Sequence, residues 1–530
     1  MAGLDRNGKG GVLGHVFTVG GLTALSRVLG LVREMFQSRL IGAGVEQSAF
    51  TLAFAIPNMA RKLFGEGALT AAFVPVFKGA VANGELEAAR RLARAVLTLV
   101  LLILGSVVAL VVAGLGIWSG CADLSPRAGL TLRLVSILFP YMVFICGAAF
   151  GMGVLNALGR FVEGAFMPAM LNVVWIASLG ALCFFPGLPI ETRVTVVCWA
   201  ILAGGAAQMA FLFFCMARRG FAPKLSLAGL RDDRVRLVWR NTAIAALGAG
   251  AVQVNYMLDQ VLAQLAAPWA AGVIGYAERL MDLPLGVVGV AFGTVLLPTF
   301  SGLFAKGDRP AAGRALADSV ANLLSVMLPA AAGMAILSQG ITSVIYEGKA
   351  FDALATLRVS RALSVYALGF GFFGVQKTLV PWFHAQNDMK TPLRVSVWTV
   401  VMNALLNIVA LVALPQEWRH VGFAASTVVC AAAGCVLLGH AARRDGGLAA
   451  LAAAVPAVLR ILLATGVMAA AILLARPHLR CLGGFLELAA EIAIGGAVYL
   501  PLFLAFVRPG SDAKVRTALS REGVRDAFPR

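Results

Sequence analysis

Apolar runs long enough to cross a lipid bilayer recur from one end of this chain to the other, and that leaves few folds open. A spanning helix needs roughly 20 consecutive apolar residues. Lipid offers no partners to backbone N–H and C=O groups, so a chain built of such runs satisfies them inside helices. The 530 residues are 60% hydrophobic and 13% charged, against about 25% charged in a soluble domain. The pattern predicts an all-α polytopic membrane protein of about fourteen transmembrane helices. The runs lie near 13–42, 48–78, 92–119, 129–157, 162–186, 192–217, 239–266, 272–304, 316–340, 357–384, 392–414, 420–441, 449–475 and 484–507. The short basic start (Arg6, Lys9) leads into an uncleaved first helix, because Arg27, Arg33 and Arg39 interrupt the run and no cleavage site follows.

A net charge of +18 would suggest nucleic acid in a soluble protein. A nucleic-acid binder gathers its cations on one face or arm. Here they recur between alternate apolar runs, as when Lys and Arg collect on cytoplasmic loops. Arg90, Arg91 and Arg94 form one such group. The 218–240 loop carries seven cations, and Lys306, Arg309 and Arg314, then Arg443 and Arg444, follow. The alternation predicts both termini inside and no nucleic-acid partner.

The chain also repeats itself. Residues 68–91 and 291–314 agree at nine of 24 positions, among them Pro75/Pro298, Phe77/Phe300, Gly84/Gly307 and Arg91/Arg314. An offset of six spans preserves orientation, so the repeats are parallel, as in two-lobed alternating-access carriers. The expected organisation is an N-lobe at 1–220, a C-lobe at 221–445 around a central cavity, two extra helices at 446–508 and a cytoplasmic tail at 509–530.

Charges inside the spans point to function. An Arg, Lys or Asp at a helix centre costs about 2.5–3.5 kcal/mol on insertion scales, and such residues face a cavity or a partner. Span 1 carries Arg27, Arg33, Glu34 and Arg39; span 2 carries Arg61, Lys62 and Glu66; span 8 opens with Glu278, Arg279 and Asp282. Arginine presents a planar fork of donors to phosphate oxygens and stays protonated. A cavity with more arginines than carboxylates suits an anionic, phosphorylated substrate, whereas internal staples would balance the signs. Lys377 on span 10 extends that cationic path, and Arg39 and Lys62 suit an interface.

A second constellation holds Asp259, near Asn255, with Asn403 and Asn407 one turn apart and Ser426 and Thr427 on the next span. Asp259, Asn403, Asn407 and Thr427 suggest a monovalent-cation or proton site, or interhelical hydrogen bonds of the kind common in membrane bundles. No CxxC or Cys/His metal spacing occurs among the eight cysteines. Cys121 and Cys481 fall in expected external loops, where a disulfide is open to them. There is no GxxxxGK[ST] loop, HExxH or GxSxG, so neither an ATPase nor a common hydrolase is visible. Any driving force would be the membrane potential or a cation or proton gradient, with no cofactor.

Seven stretches resemble one family. SRVLGLVRE (26–34), GAG (42–44), IPNMARKLFGEGALTAAFVPVF (56–77), LNALGRFVEGAFMPAMLN (155–172), YAERLMDLPLGVVGVAFGTVLLP (276–298), YEGKAFDA (346–353) and QNDMKTP (386–392) are similar, in order, to the MurJ (MviN) family. That resemblance implies a lipid II flippase of the multidrug/oligosaccharidyl-lipid/polysaccharide exporter superfamily, with fourteen helices in the bacterial inner membrane. It implies that Arg27, Arg33, Arg61 and Arg279 engage the substrate, with Glu34, Glu66, Glu278 and Asp282 as charge partners. Lipid II, membrane lipids and cell-wall synthesis proteins are the implied partners. Two positions depart from the family pattern. Ser48 stands where an Asp is usual, and Asn407 replaces an acidic residue of the cation site in some members, which weakens sodium coupling. The alternatives are a flippase for another polyprenyl-diphosphate-linked glycan, a drug antiporter, a glycosyltransferase or a non-transporting scaffold. A drug antiporter would show an acidic cavity, and a glycosyltransferase a longer aqueous loop.

Overall fold

Interior prolines, aspartate caps and glycine turns divide the described residues of this apolar chain into seventeen α-helices. The computed structural model describes residues 10–63, 69–227, 229 and 232–507. Glu66 and the expected tail at 509–530 lie outside the described residues. The first helices are α1 (Gly10–Ile41), α2 (Val45–Ala60), α3 (Leu69–Ala82), α4 (Leu86–Cys121), α5 (Pro126–Leu138), α6 (Tyr141–Ala157), α7 (Val162–Leu182), α8 (Ile190–Ala217) and α9 (Asp233–Ala266). Then follow α10 (Ala270–Ala305), α11 (Arg309–Tyr346), α12 (Ala353–Leu368), α13 (Phe370–His384), α14 (Lys390–Ala413), α15 (Arg419–Ala441), α16 (Gly447–Leu479) and α17 (Gly484–Leu502). Among the described residues every regular element is helical. Nine helices there are long and apolar enough to cross a membrane, or ten if the bent pair α12 and α13 is one span.

Three of the expected spans carry local irregularities, each with a local cause. In the 48–78 run, α2 contains Pro57, which removes a donor, and residues 61–63 form a π-turn; residues 64–68 lie outside the described residues. The 129–157 run is one span, Pro126–Ala157, with a turn between α5 and α6 where Pro140 supplies no N–H. The 357–384 run bends by 44° between α12 and α13, around Gly369. All eight cysteines are free, so the disulfide open to Cys121 and Cys481 is not formed.

Two compact units emerge. One comprises the chain up to Gly275 with Ile345–Thr356 and Asn407–His420; the other comprises Tyr276–Val344, Leu357–Leu406 and the chain from Val421. In the first, α6, α7 and α8 pack closely because their contacts fall on glycine. A side chain at Gly205 would meet the Tyr141 ring at 2.5 Å, and one at Gly204 would meet Leu171 at 2.8 Å. Small residues are what let membrane helices approach when lipid supplies no hydrophobic drive. A ladder of Phe73, Phe77, Phe150 and Phe221, with ring centroids 5.0 to 5.3 Å apart, fills the core beside α3. In the second unit, Trp382 takes the matching role against Phe300 and Phe304.

The repeat is visible as one turn made twice. After α3, Gly84 at φ +79 donates to Val81 O, and Glu85 N–H reaches Ala80 O. After α10, Gly307 at φ +72 donates to Phe304 O, and Asp308 N–H reaches Leu303 O. This left-handed glycine closes a helix C-terminus because it has no Cβ to clash. Phe77 and Phe300, equivalent in the sequence alignment, are both fully buried.

Candidate functional site

Arg33 lies on α1 among apolar neighbours, with 12% of its side chain exposed. Its Nη1 donates to Asn172 Oδ1 at 2.9 Å, and its Nη2 pairs with the Glu34 carboxylate at 2.5 Å. The guanidinium carbon sits 4.2 Å from the Trp175 ring centroid, within cation–π range. Asn172 and Trp175 are one helical turn apart on α7, so a single face of that helix holds both. Asn172 is fixed in turn by donating to Ser26 O on α1 at 3.0 Å. The edges of Phe50 and Phe54 on α2 clamp Trp175, at 5.6 and 5.5 Å. Three helices therefore orient one guanidinium.

Arg61 follows α2 in the π-turn. Its Nε and Nη2 both donate to Asn58 Oδ1, each at 3.1 Å, so the fork is set by its own helix. Lys62 Nζ lies 5.2 Å from the Tyr256 ring centroid on α9. Arg27 is half-buried on α1, and Arg39 is exposed at its end. The described residues of the first unit thus include Arg27, Arg33, Arg61 and Lys62, together with the Glu34 carboxylate.

The second unit holds Glu278, half-buried, and Arg279 and Asp282, both exposed, near the start of α10. Lys377 on α13 donates to Leu285 O on α10 at 3.1 Å, with Asp282 close enough to act on its charge. The sequence reading has Lys377 extend a cationic path; its neighbours in this unit are Leu285 O and Asp282 on α10. Gln376, its neighbour, donates instead to Ala431 O on α15 at 2.7 Å.

The Asp259 constellation is partly assembled in the first unit. Asp259 Oδ1 accepts from Asn407 Nδ2 at 2.6 Å, and Oδ2 accepts from Asn255 Nδ2 at 3.1 Å. Both carboxylate oxygens are thus engaged by amide N–H groups, and Asn407 turns its nitrogen to the carboxylate. Asn403 is buried one turn earlier on α14. Ser426 and Thr427 on α15 donate their hydroxyls to carbonyls of their own helix, Gly422 O and Phe423 O. Among the described residues no group of three or more His, Cys, Asp or Glu side chains is placed to hold a metal ion.

A family model described as lipid II flippase MurJ matches residues 37–489. The chain belongs to the MurJ family. A probable lipid II flippase MurJ of Rhizobium tropici is 34% identical over 406 residues, covering 76% of each chain. The lipid II flippase MurJ of Burkholderia cenocepacia is 30% identical over 439 residues, covering 81% of this chain and 84% of that one. Among solved structures, lipid II flippase MurJ in an inward closed conformation superposes with a TM-score of 0.75 at 22% identity, covering 92% of this chain and 99% of that one. An inward-facing multidrug resistance MATE family transporter of the MOP superfamily gives 0.67 at 12% identity, covering 81% and 98%. These structures share the fold, and this MurJ-family chain is a multi-pass membrane protein of transporter architecture.

Within this MurJ-family chain, two site residues had no sequence signal strong enough to single them out. Asn172 and Trp175 lie in the LNALGRFVEGAFMPAMLN stretch and just after it, in a run that otherwise reads as an ordinary span. A lone Asn at its centre was the available clue, since an amide in hydrocarbon needs a partner. Ser48 does not sit idle in place of an Asp. It is fully buried, its Oγ accepts from Gly272 N–H at 2.9 Å, and its carbonyl accepts from Gln264 Nε2 at 2.6 Å. A neutral hydroxyl is enough for a backbone donor.

Proposed function

We propose that the chain flips lipid II from the inner to the outer leaflet of the bacterial cytoplasmic membrane by alternating access. The observation that carries this reading is the match to the lipid II flippase model over residues 37–489. In this reading the chain is a transporter rather than an enzyme, as the family description of a flippase implies. In this reading fourteen spans form an N-lobe at 1–220, a C-lobe at 221–445 and two further helices at 446–508, with both termini cytoplasmic. The repeated turn after α3 and α10 supports the parallel halves.

Arg27, Arg33, Arg61 and Arg279 engage the diphosphate and its sugar headgroup. What supports this role for Arg33 is its orientation: held by Asn172 and stacked on Trp175, it has little side-chain freedom left to lose on binding. Glu34 pairs with the same guanidinium, so an arriving diphosphate competes with a carboxylate and a departing one is replaced by it. Glu66, Glu278 and Asp282 serve the same resetting role for their neighbours. The polyprenyl tail stays in lipid along α16 and α17. Translocation runs on the membrane potential or a cation or proton gradient, and cell-wall synthesis proteins are the expected partners.

Competition binding in nanodiscs tests the substrate class. Undecaprenyl diphosphate is expected to displace labelled lipid II, and the neutral polyprenyl alcohol is not. Equal displacement by both would remove the diphosphate from the recognition and return the arginines to a structural role.

A further inference from the structure

We propose that the segment joining α8 to α9 is a membrane-surface site, inserting Leu225 and Leu227 into the inner leaflet and binding anionic phospholipid headgroups through its cations. The segment does not hang free. Arg90 Nε on α4 donates to Gly220 O at 2.9 Å, and Phe221 packs on Phe77. Further along, Ser226 N–H donates to Thr98 Oγ1 at 2.9 Å. A side chain at Gly229 would begin 3.7 Å from Ala95 Cβ, and Arg234 pairs with Glu85 at 2.6 Å. The contacts on α4 run from Arg90 to Thr98 and back through Ala95. The strap therefore dips along α4 by about two helical turns and climbs out again.

Depth follows from α4 itself. Trp118 is half exposed near the far end of the helix, where an aromatic residue marks a membrane interface. Counting back roughly 20 residues, the thickness of the hydrocarbon core, reaches Thr98. The last charge on the helix, Arg94, is one turn outside it. Ser226 thus meets α4 at the hydrocarbon boundary. On either side of it, Leu225 and Leu227 are 67% and 69% exposed. At that depth the medium they face is lipid, not water.

The charge around the strap selects the lipid. Residues 218–240 hold seven Lys or Arg against two Asp. Arg219 and Arg234 are occupied by Glu163 and Glu85. Arg218, Lys224, Arg236 and Arg240 are exposed. Cations beside an apolar insertion are the pairing that holds a segment on an anionic leaflet. The strap also joins the two halves of the sequence repeat, so its grip on the leaflet bears on the segment across which the halves are linked.

The test uses the full chain in nanodiscs, with the exposed cysteines changed to serine. An environment-sensitive fluorophore is placed at Leu225→Cys, Leu227→Cys or, as a control, Arg236→Cys. Fluorophores at 225 and 227 are expected to be quenched several-fold more by a spin label high on the acyl chain than by aqueous iodide, with the reverse at 236. Iodide quenching at 225 and 227 equal to that at 236 would overturn the insertion, and would mean the leucines face water or a soluble partner. Lipid quenching is expected to rise when phosphatidylglycerol is added to phosphatidylcholine, and to lose that rise in Arg218→Glu with Lys224→Glu. The same quenching in both lipids would overturn the anionic preference. The side of the membrane rests on the topology proposed above, whereas the depth does not. Iodide supplied to only one side of sealed proteoliposomes reads sidedness at position 236 separately.

Discussion

Replacing Asn172 by Asp separates binding from folding at the centre of the site. Asn172 Oδ1 is 2.9 Å from Arg33 Nη1, and its Nδ2 donates to Ser26 O at 3.0 Å. The Asp side chain keeps the acceptor and the shape, loses one donor and adds a negative charge beside the guanidinium. The lost hydrogen bond costs about 1 kcal/mol, and the new ion pair offsets part of it. A diphosphate arriving at Arg33 then meets a carboxylate at close range. Two unit charges about 4 Å apart interact by about 4 kcal/mol at an effective dielectric of 20. Relaxation and screening reduce that to a loss of roughly 10- to 100-fold in lipid II affinity, about 1.4 to 2.8 kcal/mol. Asn172→Leu behaves differently. It strips a partly buried charged donor of its acceptor and costs about 1.5–3 kcal/mol of stability. The assays are lipid II binding by purified protein in nanodiscs and thermal unfolding in detergent. Asn172→Asp is expected to melt near the wild type and bind weakly. Wild-type affinity in a folded Asn172→Asp variant would refute the placement of the diphosphate at Arg33.

Three further expectations follow from single residues. Gly42 sits at φ +80, and a Cβ there would come within 2.1 Å of Ala350 O; Gly42→Ala is expected to cost at least the 1–2 kcal/mol of a left-handed non-glycine residue, read as a clear fall in melting temperature, and an unchanged value would contradict it. Asp388 caps α14, its Oδ1 accepting from Lys390 and Thr391 N–H at 3.0 Å. Bonds from Thr391, and behind them those from Lys390, hold its carboxyl below the usual carboxylate range. A depressed value makes its stabilisation complete above the ordinary Asp value of about 3.9 and lost as pH falls through the lower folded value. Asp388→Ala should therefore cost about 1 kcal/mol at neutral pH and less in strong acid, as measured by unfolding at both; an undiminished cost in acid would contradict the charged cap. Because both Asp259 oxygens already accept amide N–H groups, exchanging sodium for potassium is expected to leave transport within about twofold, since a hard cation needs several free oxygen ligands; a sodium requirement would overturn that reading.

How far the chain could be read beforehand depended on which physical signal each feature left. Helical, membrane-spanning character followed from the solvent itself, because apolar runs in lipid have little choice but to form helices. The turns and bends did not follow, since they depend on local backbone chemistry such as Pro140 and the glycine at 369. The cation-rich helices were legible because a charge in hydrocarbon is costly and stands out. What orients them was not: Trp175 reads as one more apolar residue, and its partnership with Arg33, Phe50 and Phe54 exists only once three helices meet. The Asp259 group lies between these cases. The residue types suggested oxygen ligands, but only the orientation of the Asn407 amide shows that a nitrogen faces the carboxylate. Leu225 and Leu227 carried no signal in a basic loop until the strap was seen lying against α4.

The most direct test of the central claim is headgroup translocation of lipid II in proteoliposomes, with wild type beside Arg33→Ala and Arg279→Ala and folding checked in detergent. The account predicts translocation by the wild type and its loss in both folded variants. Equal translocation by all three would contradict an arginine-lined path, and none by the wild type under an imposed membrane potential would contradict the flippase itself.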